Sequence, residues 1–320
     1  MNLNKTLFLK GNKYIVQEIP NPSSELRNYR DGVDFIVVSY DLPKFDYVKL
    51  CIESINRYWE EIDHTIYIVV NYVDIEEIKY HIEYFSEQDN VVIVEGVDQS
   101  TSSRRSKEGS VRGTGMNTGL IDGCIVASGG RNGAIAFNTA LKKGDRKYVC
   151  TIDRDAIFLS KEATKLIQLT SEYTFISNRW CPANVFPHVK SNKWEDGIAR
   201  DNLFFSERKL YDEIESENYV ERGVWKYSPR NCDYRDMTGN ITWYAKQKGH
   251  NWLVLKNSYR DRFRVDNGLW KEHLLNIPYG EQCWLDDIPI FFHATRGGYR
   301  NTDALKLWVT EVENYFKIKK

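Results

Sequence analysis

Two aspartates, Asp153 and Asp155, stand one residue apart directly after the largely apolar run Lys147–Ile152. Such a run predicts a strand buried on both faces, and ligands of open parallel sheets bind beyond the carboxyl ends of the strands. Two carboxylates at that point can hold one hard divalent cation, and the cation can neutralise a diphosphate. Aspartate is also common in ordinary turns after strands, so the spacing alone leaves a plain turn open.

The elements before this pair predict an alternating α/β fold. The apolar runs Asp34–Tyr40, Ile66–Val70 and Val91–Val94 predict strands, whereas apolar residues at three- and four-residue steps over 47–62 and 75–85 predict helices. Strand, helix, strand, helix, strand implies crossover connections, and therefore a mostly parallel central sheet flanked by helices.

The second half of the chain is predicted to be more elaborate. A long glycine-rich stretch with several arginines, 96–133, interrupts the alternation, and a connection of that length is either functional or disordered. After it we expect helices at 134–142, 161–169, 207–215, 236–248 and 303–316, and strands at 147–152, 173–177, 252–255 and 288–293. We divide the chain into a polar N-terminal extension with little regular structure (1–30), one domain (31–300, with halves 31–158 and 159–300) and a C-terminal helix (301–320).

Two motifs next to the aspartate pair resemble a known family. The stretch GGRNGAIAFNTAL, residues 129–141, places a Gly/Arg/Asn-rich turn before a predicted helix. The strand ending in Asp153-Arg154-Asp155 follows it. Together they resemble the nucleotide-sugar glycosyltransferases of the GT-A fold, in particular the large family 2 group. The resemblance implies a GT-A (Rossmann-like) α/β fold whose second half, from residue 159, faces the acceptor.

Three further segments extend the resemblance over roughly residues 33–296. The first strand ends Val38-Ser39-Tyr40-Asp41, similar to the opening strand of that family. Cys232–Asp236, followed by a predicted helix and the turn Lys246–His250, is similar to its acidic acceptor-side segment. Phe291–Thr295 is similar to late segments in which a histidine completes the metal site.

The resemblance assigns roles to particular residues. The metal ligands, for Mn²⁺ or Mg²⁺, would be Asp153, Asp155 and His293. The donor-binding residues would be Tyr40, Asp41, Asn71, Arg131, Asn138 and Asp153, with Asn71 standing where the family usually has aspartate. An acceptor hydroxyl needs a carboxylate base to take its proton. Asp233 and Asp236 are the candidates, although Asp236 also suits the N-cap of the helix that it precedes.

The implied function is transfer of a hexosyl or pentosyl group from a nucleotide sugar, UDP-linked by analogy, to an acceptor hydroxyl with inversion. The acceptor could be a glycan, a lipid-linked sugar, a protein or a hydroxylated nucleic-acid base. Two alternatives stay open. One is a sugar-1-phosphate nucleotidyltransferase, which would carry a glycine-rich loop directly after the first strand, where Ser39–Pro43 stands. The other is a non-catalytic nucleotide- or carbohydrate-binding protein of the same fold.

The composition of the sequence argues against several functional classes of protein. The 320 residues carry 44 basic and 45 acidic side chains, and a net charge of −1 argues against a general nucleic-acid or membrane-surface binder. No apolar run approaches the ~20 residues needed to span a bilayer, and the first residues lack a signal-peptide core. The 6 cysteines are scattered without a CxxC pair, which favours free thiols. We therefore expect a cytoplasmic protein with no integral membrane segment.

Overall fold

The structure of the protein is a computed structural model. It describes residues 5–10, 13–18, 28–39, 44–72, 74–98, 118–121, 124–127, 137, 140–181, 198–199, 202–216, 220–221, 224–225, 239–260, 273–277, 280–294 and 302–318.

The described residues form strands and helices distributed along the whole chain. The strands are β1 Lys5–Lys10, β2 Lys13–Glu18, β3 Arg30–Ser39, β4 His64–Tyr72, β5 Val91–Asp98, β6 Thr118–Ile121, β7 Cys124–Ala127, β8 Arg146–Asp153, β9 Ala156–Phe158, β10 Phe175–Ser177, β11 Trp180–Cys181, β12 Ile198–Ala199, β13 Leu203–Glu207, β14 Val220–Glu221, β15 Val224–Trp225, β16 Trp252–Val254, β17 Lys256–Arg260, β18 Gly280–Leu285 and β19 Ile288–His293. The helices are α1 Phe45–Tyr58, α2 Glu76–Tyr84, α3 Leu166–Leu169, α4 Lys209–Ser216, α5 Gly239–Lys248 and α6 Thr302–Ile318, and a 3-10 helix, Lys161–Lys165, leads into α3.

Nine strands form the larger sheet, in the order β16-β10-β13-β8-β3-β4-β5-β1-β2. The pairings β8-β3-β4-β5 and β10-β16 are parallel, whereas β13 is antiparallel to both of its neighbours. From β16 to β5, only β13 therefore runs against the common direction. The predicted α/β class with a mostly parallel central sheet is confirmed.

Alternate residues of the central strands enter two different cores. In β3, Phe35 and Val37 pack in the core that holds α1 and α2, whereas Ile36 packs in the core that holds α4 and α5. Helices thus cover both faces of the sheet. A strand covered on both faces needs apolar side chains at successive positions, which explains the continuous apolar runs in the sequence.

The expectation of little regular structure in residues 1–30 is wrong. β1 and β2 form an antiparallel hairpin with Lys10 opposite Lys13, and β1 pairs with β5 through Thr6 and Leu7. Without β1, the outer edge of β5 would leave its backbone N–H and C=O groups unpaired. The intervening Gly11-Asn12 is a residue pair favoured in two-residue hairpin connections, and this signal was overlooked.

A second, four-stranded antiparallel sheet has the order β17-β18-β19-β9. β19 coincides with a predicted strand, but β17 and β18 were not predicted, and neither was β13 in the larger sheet. β13 ends at Glu207, where the predicted helix was expected to start, and the helix begins two residues later, at Lys209. Three shorter pairs, β6-β7, β11-β12 and β14-β15, form separate two-stranded ribbons.

The second sheet is anchored to the rest of the chain by a third apolar core. Tyr47 of α1, Ile157 of β9 and Phe292 of β19 pack there with Trp308 of α6. This core holds the predicted C-terminal helix, which spans Thr302–Ile318, against the smaller sheet. None of the helices in the described ranges is long and apolar enough to cross a membrane.

Candidate metal centre

The aspartate pair lies where the chain leaves the larger sheet for the smaller one. β8 ends at Asp153, which is paired with Val38 near the carboxyl end of β3. Arg154 and Asp155 form a turn, and β9 then begins the edge of the second sheet. The pair therefore stands at the edge where ligands of parallel sheets bind, as the sequence predicted.

His293 reaches this edge through the second sheet. It is the last residue of β19 and is paired with Ala156, the first residue of β9. The backbone N–H of Ala294 donates a hydrogen bond to the carbonyl oxygen of Asp155 at 2.8 Å. The pairing of β19 with β9 thus brings the histidine next to the aspartate turn, although 138 positions separate His293 from Asp155 along the chain.

The three side chains form a compact cluster of metal-ligand type. His293 Nε2 lies 3.4 Å from Asp153 Oδ2 and 3.5 Å from Asp155 Oδ1, and one ligand atom of each residue lies within 4.8 Å of the others. At metal–ligand distances of about 2.1 Å, neighbouring ligands of an octahedral ion are about 3 Å apart and opposite ones about 4.2 Å. The spacing and the donor types therefore fit one divalent cation.

The cluster is open on one side. The side chain of Asp153 is 34% exposed, whereas those of His293 and Asp155 are 8% and 7% exposed. Three protein ligands leave positions on an octahedral ion for other oxygen atoms. A ligand that supplies such oxygens would approach past Asp153.

Charge in the cluster is arranged to hold a cation. Burial alone would lower the pKa of His293, but the carboxylates of Asp155 and Asp153 outweigh it and raise that pKa to about 10. Burial would likewise raise the pKa of Asp155, but the neighbouring His293 and Arg154 cations lower it. The two carboxylates thus stabilise a positive charge between them, which the imidazolium proton supplies when no metal is bound.

Asn202 holds Asp153 in place, and Asn178 bonds to the strand that Asn202 precedes. The side-chain amide of Asn202 donates to Asp153 Oδ2 at 2.5 Å, and the backbone N–H of Asp153 donates to the Asn202 carbonyl at 3.1 Å. Asn178 in turn accepts a hydrogen bond from the backbone N–H of Leu203 at 3.0 Å through its side-chain oxygen. Asn202 directly precedes β13, so the unpredicted antiparallel strand orients one of the predicted ligands.

Glu281 approaches His293 from the side opposite to the aspartates. Its Oε2 lies 4.0 Å from His293 Nδ1 and 3.8 Å from Arg179 Nη1. Glu281 is 0% exposed, and neither of its carboxylate oxygens has a hydrogen-bond partner among the described residues. The guanidinium of Arg179 also stacks on Tyr259, 4.2 Å from the ring centroid.

Of the other predicted site residues, Asn71 alone lies in the part of the chain that the structure describes. Asn71 is buried near the carboxyl end of β4, with Gly96 so close that a Cβ at that position would clash with Asn71 Oδ1. The remaining six lie outside the described residues: Tyr40, Asp41, Arg131, Asn138, Asp233 and Asp236. Their roles remain predictions.

Sequence reasoning did not identify Asn202, Glu281 or Arg179. A weak signal existed for Glu281, because apolar runs flank Asp286-Asp287 as in a two-residue hairpin. Both aspartates have positive φ, 49° and 63°, which aspartate tolerates better than most residues. Nothing local marks Asn202 or Arg179, because their relation to the cluster arises from pairing between distant strands.

Comparison with known proteins gives likenesses of structure only. No family model matches the chain, and no curated protein matches its sequence. A mannosyltransferase from Pyrobaculum calidifontis, solved with GDP-Man and Mn²⁺, has a TM-score of 0.40 and 15% identity over 73% of this chain and 56% of that one. The galactosyltransferase LgtC, solved with donor and acceptor sugar analogues, has a TM-score of 0.38 and 9% identity over 70% of this chain and 73% of that one. S. aureus TarS residues 1–349 have a TM-score of 0.34 and 13% identity over 60% of this chain and 52% of that one. The chain therefore spans just over half of the first and third of these structures.

Proposed function

We propose that the protein is a metal-dependent glycosyltransferase that moves a sugar from a nucleotide-sugar donor to an acceptor hydroxyl. The observation that carries the proposal is the Asp153, Asp155 and His293 cluster at the carboxyl edge of the parallel strands. Two carboxylates and an imidazole at ligand spacing suit a cation that also binds phosphate oxygens. The GT-A-like motifs of the sequence point to a nucleotide sugar as the source of those phosphates.

The chemistry needs a site that receives negative charge as the nucleoside diphosphate leaves. A divalent cation held by the cluster supplies a Lewis acid for that charge. Asp155 and His293, both buried, act as fixed ligands, while the more exposed Asp153 faces the incoming diphosphate. The amide of Asn202 keeps the Asp153 carboxylate oriented, so little reorganisation is needed when the donor arrives.

The remaining roles in the proposal derive from the sequence resemblance. Tyr40, Asp41 and Asn71 contact the nucleoside at the ends of the first two strands of the alternating core. Arg131 and Asn138 belong to the glycine-rich turn and helix that face the diphosphate. Asp233 is the first candidate for the base that deprotonates the acceptor, and Asp236 is the second. A UDP-linked donor and inversion at the anomeric carbon are expected on the same basis.

Calorimetric titration of the purified protein with a panel of nucleotide sugars tests the proposal. Each donor is added with Mn²⁺, with Mg²⁺ and with a chelator. The titrations are repeated on Asp155→Asn and on Asp287→Asn. Asp287 is the matched control, because it is an aspartate of the turn between β18 and β19 that pairs with Lys256 at 2.6 Å, and its side chain is 85% exposed. Metal-dependent binding of one donor by the wild type and the control, lost in Asp155→Asn, is the expected result.

Release of free nucleoside diphosphate then separates an enzyme from a binding protein. Slow hydrolysis of the bound donor, or faster release with an acceptor panel, supports transfer. Binding without any turnover would indicate the non-catalytic alternative. If no nucleotide sugar binds with either metal, the proposed function is refuted.

A further inference from the structure

The imidazole of His293 lies between acidic groups on both of its nitrogen atoms. Nε2 faces Asp153 and Asp155 at 3.4 and 3.5 Å, and Nδ1 faces Glu281 at 4.0 Å. Glu281 and His293 are directly paired across β18 and β19. Directly paired residues of an antiparallel ladder project from the same face of the sheet. The pairing therefore places the carboxylate of Glu281 beside the imidazole ring of His293.

The pairing of these two residues depends on a β-bulge. Leu285 is paired with Ile288 and Trp284 with Pro289, but Cys283 is paired with Phe291, so Ile290 is the extra residue. An unbroken hairpin would place Glu281 opposite Phe292. The one-residue shift instead places Glu281 opposite His293, and bulges commonly re-aim side chains next to functional sites.

A histidine that ligates a metal through Nε2 must carry its proton on Nδ1, and that N–H needs an acceptor. Among the described residues, Nδ1 of His293 has no hydrogen-bond partner, and neither have the two oxygens of Glu281. Burying a carboxylate without hydrogen bonds costs free energy, so the carboxylate of Glu281 is expected to accept a hydrogen bond from a nearby donor. A small rotation of either side chain would shorten the 4.0 Å separation to a hydrogen bond.

We propose that Glu281 is the positioning residue of the metal centre, which accepts the Nδ1–H of His293 and turns Nε2 toward Asp153 and Asp155. The inference rests on the proposed function only in requiring that the cluster binds a divalent cation. Arg179, 3.8 Å from Glu281, supplies a compensating charge for the buried carboxylate. The chain Arg179–Glu281–His293 thus extends the centre from its three ligands into the smaller sheet.

Binding of Mn²⁺, measured by the loss of the free-ion electron paramagnetic resonance signal, tests this role without any catalytic assay. The variants are Glu281→Gln, which retains a neutral acceptor, and Glu281→Leu, which retains none. Asp34→Asn is the matched control, because Asp34 is also 0% exposed and paired with an arginine, Arg208, but lies outside the cluster. All measurements are made where circular dichroism shows folded protein.

We expect Mn²⁺ affinity to fall about 10-fold in Glu281→Gln and up to about 100-fold in Glu281→Leu, the range for loss of an outer partner of a ligand. The Asp34→Asn control should bind as the wild type does. A purely structural role for Glu281 predicts lower stability without this graded loss. Equal affinity in the wild type and both Glu281 variants would refute the inference while leaving the metal centre intact.

A second measurement is independent of the Glu281 variants, in case one of them does not fold. Nitrogen-15 spectra of the histidine side chains, with Mg²⁺ bound and His293 assigned from His293→Gln, should show the proton on Nδ1. A metal-loaded His293 that lacks this proton would contradict the role given to Glu281. If the wild type binds neither Mn²⁺ nor Mg²⁺, the metal centre itself fails, and the role of Glu281 fails with it.

Discussion

A hydrogen bond joins His81 of α2 to Ser39 at the carboxyl end of β3, and the buried histidine should make the stability of the protein depend on pH. Its Nδ1 donates to the carbonyl oxygen of Glu77 at 2.6 Å, so in the neutral ring Nε2 accepts the hydrogen bond from Ser39 Oγ at 2.9 Å. The ring is 2% exposed and packs edge-on against Phe45. Burial of the ring and the nearby positive charge of Arg154 both favour this neutral imidazole.

Burial lowers the pKa of His81 from 6.5 to about 4. As the pH falls below 6.5, His81 binds a proton in the unfolded chain, whereas in the folded chain it does not bind one until the pH approaches 4. The free energy of unfolding therefore decreases as the pH falls through this window, and no such loss occurs above it. From these two pKa values, the loss between pH 7 and pH 5 amounts to about 2 kcal/mol.

Urea unfolding of the wild type and of His81→Gln, at pH 7 and pH 5, measures this effect. Glutamine removes the titrating group and keeps polar atoms near Ser39, so the variant should lose about 2 kcal/mol less than the wild type between the two pH values. Fluorescence and circular dichroism must give the same midpoint at each pH, so that the free energies refer to one transition. An identical pH dependence in both proteins would refute the assignment of a buried neutral histidine.

Two other substitutions test the buried polar groups around the central sheet. Asp34→Asn leaves the Arg208 guanidinium without its paired carboxylate, so the free energy of unfolding should fall by about 3–5 kcal/mol in urea at pH 7; a loss near zero would show that this ion pair is dispensable. Asn202→Leu removes the amide that orients Asp153, so the dissociation constant for Mn²⁺ should rise about 10-fold by calorimetry; an unchanged constant would mean that Asp153 is oriented by other contacts.

Much of the larger sheet could be predicted because its signals are local. β3, β4 and β8 are covered on both faces, so their burial appears in the sequence as uninterrupted apolar runs. Asp153, the last residue of β8, and Asp155, just beyond it, could be predicted as an edge site for the same reason, since the carboxyl end of a parallel strand locates them. His293 was predicted from the resemblance to a family, because nothing in its local sequence separates a ligand from a histidine at the edge of the core.

Three strands near the site were not predicted. β13 consists of five residues, and its burial comes from insertion between β8 and β10, not from a long apolar run. β17 and β18 are paired with each other over residues that include polar side chains such as Ser258 and Gln282. Residues 1–30 were predicted to be an irregular extension because they are polar and mixed in character, whereas in the structure the hairpin of β1 and β2, which would be marginal alone, pairs with the edge of β5.

The local sequence was sufficient to place two carboxylates at the carboxyl end of a buried parallel strand, since apolar periodicity and chain direction depend on neighbouring residues. The partners of those carboxylates depended on the folded chain. Pairing of β19 with β9 brings His293 to the aspartates, and the bulge at Ile290 places Glu281 opposite it. In a hairpin, one inserted residue changes which side chains stand together. The extra residue, Ile290, packs in the same core as α1 and α2, and no short stretch of sequence carries that contact.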